Sequence, residues 1–543
     1  MADIGLGGSM PGRHAKLDWF VAAAGIAYCA TVVFVTLHHE FWEDEVRTWS
    51  IAREAGSLPE LFAGIRDDGH PALWYLVLFA GTRASASPAV LPACSLLVAA
   101  AAVACFLVWS PFGRWLKLLF LCGVLPLYEY SVMARNYGLV MLTLFAVCAL
   151  YSRRMERPLP LALALALLAN TSAHGTIVAA GFAASAVAEW LFGGGRRGAL
   201  PGGLRGREAR RTGRAEEGTP APARQASVWS AAAALLVVAA GFAAACLVAW
   251  PDSASTIFHP ERLTVPDTLH ALGHFLRDPA HSFQRVLWGR GTPLLALAGA
   301  ALVWLVALAL LDKPYLLGAF LCGAAGLSLF LDLVYRGPQR HQGVLVLLIV
   351  AVAWLAPAAR GAALWPPLAK SVAGLRRFAL PAALAALLAT HAVRALDAIR
   401  FDLGHDMTSA KAFGELLHQR YGNAIVMGEP DSPLESLPFY APNPIYIPRE
   451  NRFGDWTRFT ADNRKELSLG ELVRIGKALH EQSRQPVLLA LGHDLGGDPP
   501  IVFGYGSVFT WSRTDRALLR RETEPVASFQ SAATERYEVF SFR

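Results

Sequence analysis

Residues 19–47, WFVAAAGIAYCATVVFVTLHHEFWEDEVR, join a long apolar run to a dense group of carboxylates. The run 19–37 contains no charged residue and has about the length, roughly 20 residues, that a helix needs to cross a bilayer. Glu43, Asp44 and Glu45 follow it closely. Since a charge at the centre of a membrane helix costs about 2.5–3.5 kcal/mol, a cluster just outside such a helix indicates chemistry at the membrane surface.

The composition of the whole chain is also apolar. Of its 543 residues, 54% are hydrophobic and 17% are charged, and its mean hydropathy is +0.37. This composition predicts a polytopic α-helical membrane protein, with about ten to thirteen transmembrane helices. The candidate spans are 19–37, 71–79, 91–109, 118–128, 139–151, 161–169, 176–192, 229–250, 293–311, 316–334, 344–355 and 378–389.

The basic residues lie mainly in short polar stretches between these spans, as the positive-inside rule requires. The arginine-rich stretch 193–227 is therefore predicted to be a cytoplasmic loop, and the acidic loop 38–70 falls on the periplasmic face of the inner membrane. Arg114 and Lys117 also favour the inside, so either 71–79 or 118–128 is predicted to be a partial or surface helix. The net charge of +7 follows the same pattern and predicts no nucleic-acid partner.

From about residue 397 onward the chain turns polar. The β-rich runs 424–427, 444–447 and 487–491 alternate there with the amphipathic stretches 409–419 and 469–482, a pattern typical of an α/β domain. We therefore divide the chain into a transmembrane part, 1–396, and a small soluble periplasmic domain, 397–543.

Several function classes lack their sequence signatures. All seven cysteines lie in apolar segments, which argues against a disulfide framework and against a thiolate metal site. The chain has neither a Gly-x-x-x-x-Gly-Lys loop nor a His-Glu-x-x-His helix, so an ATP-driven pump and a zinc protease find no support.

Two motifs carry a resemblance to a known family. Residues 42–45, WEDE, followed by 69–75, GHPALWY, resemble the first extracytoplasmic loop of GT-C glycosyltransferases that use polyprenyl-phosphate sugars. The branch is that of protein mannosyltransferases and lipid A aminoarabinose transferases. Ala72 stands where that motif usually has a second proline. Residues 133–139, MARNYGL, are similar to the family's Arg-x-Tyr-x-Leu, and the resemblance covers roughly residues 15–350.

The resemblance implies a GT-C-like fold and the transfer of a single hexose or pentose. The donor would be a polyprenyl-phosphate sugar within the lipid membrane, and the acceptor a periplasmic glycan, lipid or protein. One carboxylate would act as general base on the acceptor hydroxyl, on the face opposite the departing phosphate. Carry-over of the motif gives Asp44 as this base, with Glu45 orienting or binding acceptor or metal. The simpler alternative is a solvated acidic loop.

Other candidates surround this pair. The expected donor phosphate ligands are Arg135 with Tyr137, and a second basic patch of Arg336, Arg340 and His341, because guanidinium groups bind phosphate through paired donors. Arginines that only reach the lipid headgroups are the alternative. The expected substrate ligands are Asp68 and His70, and a divalent metal, the one cofactor left open, would use Asp67 and His259. His174, which lies between apolar spans, is predicted to be structural.

Two other functions stay open. A transporter or flippase of lipid-linked sugars would place charges in mid-membrane and show a pseudo-repeat, whereas here the charges gather at one face. A ligase for whole glycan polymers would share the external loop and the phosphate-binding arginines.

Overall fold

The structure is a computed structural model, and it describes residues 18–66, 68–193, 226–250, 263–287, 292–504 and 506–543. Most of the predicted cytoplasmic loop 193–227 therefore lies outside the described residues. The helices, in chain order, are α1 Trp19–His38, α2 Glu43–Glu54, α3 Leu58–Gly64, α4 Leu73–Ala84, α5 Val90–Trp109, α6 Arg114–Leu121, α7 Tyr137–Leu150, α8 Pro158–Ala169, α9 Ala173–Gly193, α10 Val228–Ala249, α11 Val265–Arg277, α12 Gln284–Leu287, α13 Pro293–Ala309, α14 Pro314–Leu333, α15 Gln339–Leu355, α16 Pro366–Gly374, α17 Leu380–Gly404, α18 Ala410–Arg420, α19 Leu437–Tyr440, α20 Leu469–Ser483 and α21 Arg513–Glu522.

The prediction of a polytopic helical membrane protein is confirmed. Among the described residues, six helical segments are long and apolar enough to cross a membrane, namely α1, α5, α9, α10, α14 and the continuous segment Pro366–Gly404. Four shorter apolar segments accompany them, Tyr137–Arg153, Pro158–Ala169, Pro293–Ala309 and Gln339–Leu355. The six long segments are fewer than the predicted ten to thirteen, and the four shorter ones are below the roughly 20 residues of a full crossing.

The segments 71–79 and 118–128, one of which was predicted to be a partial or surface helix, both form short helices. The first forms α4, which has 12 residues. The second is split between α6, which has 8 residues, and a separate π-helical turn, Leu125–Glu129. Both are shorter than the roughly 20 residues of a full crossing.

Helix α15 lies at the centre of the bundle. Every residue from Arg340 to Leu355 is buried, and a helix that is apolar all round must be covered by protein or lipid on every side. Its first turn carries Arg340, His341 and Gln342, which are also buried. The apolar body of the helix thus holds a polar group at one end of the bundle.

The C-terminal part forms the predicted α/β domain. Its strands are β1 Ile425–Glu429, β2 Ile445–Ile447, β3 Arg452–Phe453, β4 Glu466–Ser468, β5 Val487–Leu491, β6 Ile501–Phe503, β7 Ser507–Thr510, β8 Thr523–Phe529 and β9 Tyr537–Phe542. The larger sheet has the order β3-β2-β1-β5-β9-β8, and β4-β7-β6 form a smaller one. Strands β2, β1 and β5 run parallel, and the others in the larger sheet pair antiparallel.

Alternate residues of β1 point to opposite faces of the sheet, as in any strand. Ile425 and Met427 pack in one apolar cluster, with residues of α20 and α21. Val426 packs in a second cluster, with residues of α18 and α19. Because both faces are covered by helices, the central strands read as continuous apolar runs.

Helix α2 lies between the bundle and the C-terminal domain. Glu43, Arg47 and Glu54 make hydrogen bonds to residues of that domain. Asp44 and Thr48, on another face of the helix, contact Arg340 and Trp74 of the bundle. The first loop and the C-terminal domain therefore lie at the same end of the molecule, and α2 joins the two parts.

Candidate active site

Asp44 lies in the first turn of α2. Helix α2 begins with three acidic residues, Glu43, Asp44 and Glu45, which interact favourably with the positive end of the helix dipole. Arg340 donates a hydrogen bond from Nη2 to the carboxylate of Asp44, and Arg135 donates from Nη1 to its backbone carbonyl. The site therefore joins the starts of α2 and α15 with the loop before α7.

The carboxylate of Asp44 remains accessible within this basic setting. Its side chain is 35% exposed, against 8% for Arg340. Burial raises the pKa of Asp44, but Arg135, Arg340 and His70 outweigh burial and hold the pKa below its ordinary value. Asp44 is therefore ionised at neutral pH, as a general base must be before it accepts a proton.

Glu45 points inward and has no exposed surface. One carboxylate oxygen accepts from the backbone N–H of Ala134 at 2.6 Å, and the other pairs with His39 Nε2 at 3.0 Å. The other ring nitrogen of His39 bonds to Asp402 at 2.8 Å. In this geometry Glu45 acts on the site by fixing the loop that carries Arg135.

His39 is a charged part of this buried network. Burial lowers its pKa, but Glu45 and Asp402 outweigh burial and raise the pKa to about 10. The imidazolium balances two carboxylates that would otherwise be buried without a counter-charge. It also connects the end of α1 to α2 and to α17, the helix that leads into the C-terminal domain.

The structure brings four of the five predicted phosphate ligands together. Arg135 and Arg340 both contact Asp44, and the rings of Tyr137 and His341 lie 5.2 Å apart, edge to face. The turn before α15 needs glycine, because Gly337 has a φ of +39° and a Cβ there would lie 2.6 Å from His341 Cγ. The fifth, Arg336, is exposed and makes no hydrogen bond or ion pair with the described residues.

Buried polar atoms without partners are concentrated here. Six such atoms belong to neighbouring side chains of this region and have no hydrogen-bond partner within the described chain. They are His70 Nδ1, Arg135 Nε, Tyr137 Oη, His174 Nε2, Arg340 Nε and His341 Nδ1. Since buried polar atoms are almost always hydrogen-bonded and an unmet one costs about 1–3 kcal/mol, these atoms are available to a polar ligand or to water.

The two predicted substrate ligands, His70 and Asp68, differ in their hydrogen bonding within the protein. Burial and the nearby Arg135 lower the pKa of His70 to about 4, so it is neutral at pH 7 and offers one donor and one acceptor. Asp68 instead uses both oxygens within the protein, since it accepts from Arg47 Nε at 2.7 Å and from the Tyr75 hydroxyl. Asp68 thus orients Arg47 and Tyr75, and its charge acts on His70 through space.

Neither predicted metal ligand can be placed. Asp67 and His259 both lie outside the described residues. Among those that are described, no group of three or more His, Cys, Asp or Glu side chains is arranged to hold a metal ion.

The structure also shows that Arg47 contacts several distant residues, which the sequence did not predict. Arg47 donates from Nη1 to both oxygens of Glu435, at 2.8 and 3.0 Å, and to the Thr457 carbonyl at 2.7 Å. Its guanidinium also stacks over the Phe459 ring at 4.0 Å. Arg47 follows the acidic motif directly, but nothing local in the sequence identifies partners about 400 residues away. His174, which the sequence predicts to be structural, also lies among the side chains of the candidate site, and its Nε2 atom has no partner among the described residues.

The fold and the site define a polytopic membrane protein with an accessible aspartate, whose carboxylate and backbone carbonyl each accept from a buried arginine, at the end of the bundle that carries the C-terminal domain. No family model matches the chain, and no curated protein matches it.

Two solved structures are similar to the chain. ArnT from Cupriavidus metallidurans in the apo state is 13% identical with a TM-score of 0.34, covering 96% of this chain and 97% of ArnT. The arabinofuranosyltransferase AftD from Mycobacteria is 14% identical with a TM-score of 0.36, covering 98% of this chain and 40% of AftD. The chain thus spans less than half of AftD. Because both TM-scores are low, the proposal below rests on the residues of the site.

Proposed function

We propose that this chain is a membrane glycosyltransferase that moves a single sugar from a polyprenyl-phosphate donor to a glycan, lipid or protein acceptor on the periplasmic side. Asp44 is the general base. One observation carries the proposal: the accessible carboxylate of Asp44 is bound by Arg340, and its backbone carbonyl by Arg135, amid six buried polar atoms without partners among the described residues. A base beside a cluster of phosphate donors is what sugar transfer from a lipid phosphate requires.

Each arginine uses only part of its guanidinium within the protein. Arg340 and Arg135 each hold Asp44 through a terminal nitrogen, and the Nε atom of each has no partner among the described groups. A phosphate bound at these two Nε edges would lie across the guanidinium groups from Asp44, with the anomeric carbon between the base and the phosphate. The same side chains would then orient the base and hold the leaving group.

The reaction follows from this arrangement. The acceptor hydroxyl gives its proton to Asp44, and its oxygen forms a bond to the anomeric carbon of the sugar. The bond between that carbon and the phosphate oxygen breaks, and its electron pair leaves with the lipid phosphate. Arg135 and Arg340 stabilise the charge that develops on this phosphate, the largest contribution that fixed donors usually make.

The test is Asp44→Asn, expressed from the native locus. Mass comparison of envelope glycans should show that a defined mass, present in the wild type, is lost in the variant, while protein level and membrane insertion are unchanged. Transfer at the wild-type level by Asp44→Asn would contradict the assignment. The size of the missing mass separates a single sugar from a whole polymer, and so separates this proposal from a polymer ligase.

Glu43→Gln is the matched control. Burial, together with the charges of Glu535, Glu435 and Asp44, raises the pKa of Glu43 to about 8. Glu43 is therefore mainly protonated at neutral pH, and glutamine copies that state. This neighbouring substitution should leave the glycan mass in place.

A further inference from the structure

The turn that precedes α9 is tied to both sequence motifs of the site. The Leu73 N–H donates to the Asn170 carbonyl at 3.1 Å, and Asn136 Nδ2 donates to the Thr171 carbonyl at 2.8 Å. Leu73 belongs to the segment that begins with His70, and Asn136 lies between Arg135 and Tyr137. The turn 170–172 is therefore held in a fixed place beside the proposed donor site.

Gly175 fixes the position of the residue before it, His174. A Cβ at Gly175 would lie 2.2 Å from Thr171 Oγ1 and 2.6 Å from the Leu168 carbonyl. Only glycine lets the first turn of α9 approach the end of α8 this closely. His174, which precedes it, is held by this close packing at the start of α9.

His174 faces the other site residues. It is 3% exposed, and its ring contacts the rings of His341 at 5.2 Å, Tyr137 at 6.1 Å and Phe330 at 5.0 Å. Its Nε2 atom has no partner among the described residues, and the same holds for the Tyr137 hydroxyl and His341 Nδ1. Three polar groups from three helices thus meet without satisfying one another.

All three of these side chains lie in the first turns of their helices. Tyr137 begins α7, His174 is the second residue of α9, and His341 is the third residue of α15. Helix N-termini carry partial positive charge and favour anions. Together with Arg135 and Arg340, the three starts make this position suited to a phosphate group rather than to a neutral sugar.

We infer that His174 is a further ligand of the donor, and that its Nε2–H donates to the phosphate of the polyprenyl-phosphate sugar beside His341 and Tyr137. The inference rests on the proposed function, because it assigns a ligand within the same site. It replaces the structural role that the sequence predicted for His174.

Binding of undecaprenyl phosphate to the purified full-length chain in detergent tests the inference. His174→Phe keeps a ring against Phe330 and removes the donor, whereas His174→Gln keeps an N–H donor at similar reach. The dissociation constant should rise about tenfold in His174→Phe, as expected for a lost hydrogen bond to a charged group, and much less in His174→Gln. His391 is the matched control, because it is buried and its Nε2 already bonds to the Val286 carbonyl at 2.8 Å. His391→Phe should bind the probe as the wild type does.

A purely structural role predicts the opposite order, since phenylalanine suits an apolar setting better than glutamine does. Wild-type affinity in His174→Phe, or a larger loss in His174→Gln than in His174→Phe, would overturn the inference and leave the proposed function standing. If the wild-type chain itself shows no saturable binding of undecaprenyl phosphate, both the inference and the proposed donor class fail.

Discussion

Arg340 links the proposed base to the proposed leaving group, and its charge sets the protonation of Asp44. Because Arg340 lowers the pKa of Asp44, Arg340→Gln should raise that pKa. Asp44 acts in its ionised form, so activity is lost as the pH falls through its pKa. The acid limb of the profile of kcat/KM against pH should therefore move to higher pH in Arg340→Gln.

Arg336→Gln is the control for this limb. Arg336 is exposed and is not among the charges that shift the pKa of Asp44, so its removal should leave the limb in place whatever it does to KM. An unmoved limb in Arg340→Gln would mean that a different group titrates in the pH profile.

The sequence identified most of the individual side chains of the candidate site, but it did not indicate that adjacent residues face different partners. The resemblance pointed to Asp44 and Glu45 together. Successive residues of a helix point about 100° apart, so one carboxylate faces the arginines while the other lies under Ala134. Which of the two carboxylates faces the arginines depends on the orientation of α2 relative to α15. The spacing of residues in the sequence does not predict that orientation.

At the scale of elements, the two arginines of α2 predict unequal stability effects. The side chains of Arg47 and its partner Glu435 are 7% and 5% exposed, whereas those of Arg53 and Asp455 are 33% and 20% exposed. Arg47→Ala leaves two buried carboxylates without a counter-charge and should cost about 3–5 kcal/mol. Arg53→Ala should cost about 1 kcal/mol or less.

Melting temperatures of the two purified variants in the same detergent measure this difference. Equal decreases for Arg47→Ala and Arg53→Ala would show that Arg47 does not anchor the C-terminal domain.

The contact between α2 and the C-terminal domain should also depend on pH. Burial and nearby carboxylates raise the pKa of Glu43 to about 8, and burial raises the pKa of Glu535 to about 7. Since the folded state binds these protons more tightly than the unfolded chain, where the pKa is about 4.3, their stabilisation is fully present below that value and is lost as the pH rises toward 8.

The melting temperature should therefore fall as the pH rises from about 5 to about 8, and Glu43→Gln should reduce the slope. His39, whose pKa is raised to about 10 in the folded protein from about 6.5 in the unfolded chain, adds a fall of the same sign above about pH 6.5, and Glu43→Gln leaves that part of the slope in place. A slope that is unchanged in Glu43→Gln would contradict the assignment to this carboxyl.

Elements buried on both faces were the easiest to predict. The runs 424–427 and 487–491 correspond to β1 and β5, which helices cover on each side. Strand β8 was not predicted, because it carries Glu524 and Pro525 and lies at the edge of the sheet with an irregular register. Edge strands tolerate proline and polar residues, so their sequences lack the apolar pattern.

At the scale of the whole molecule, the chain has a membrane bundle and an α/β domain at one end of it, and both were predicted. The sequence also favoured the same side for the first loop and the C-terminal domain, from the parity of the spans. It did not indicate how closely they pack. That packing depends on pairs such as Arg47 with Glu435, which are separated by 388 positions in the chain and leave no local pattern.

The location of α2 between the membrane bundle and the C-terminal domain limits which segments can be exchanged in a chimeric protein. Glu40, just before α2, and Arg47 and Glu54 within it each bind backbone groups of the C-terminal domain, while α2 also presents Asp44 to the bundle. A chimera that exchanges only residues 397–543 would leave these side chains facing foreign loops and would disturb the base as well. The smallest transferable module is therefore discontinuous, the C-terminal domain together with residues 39–54.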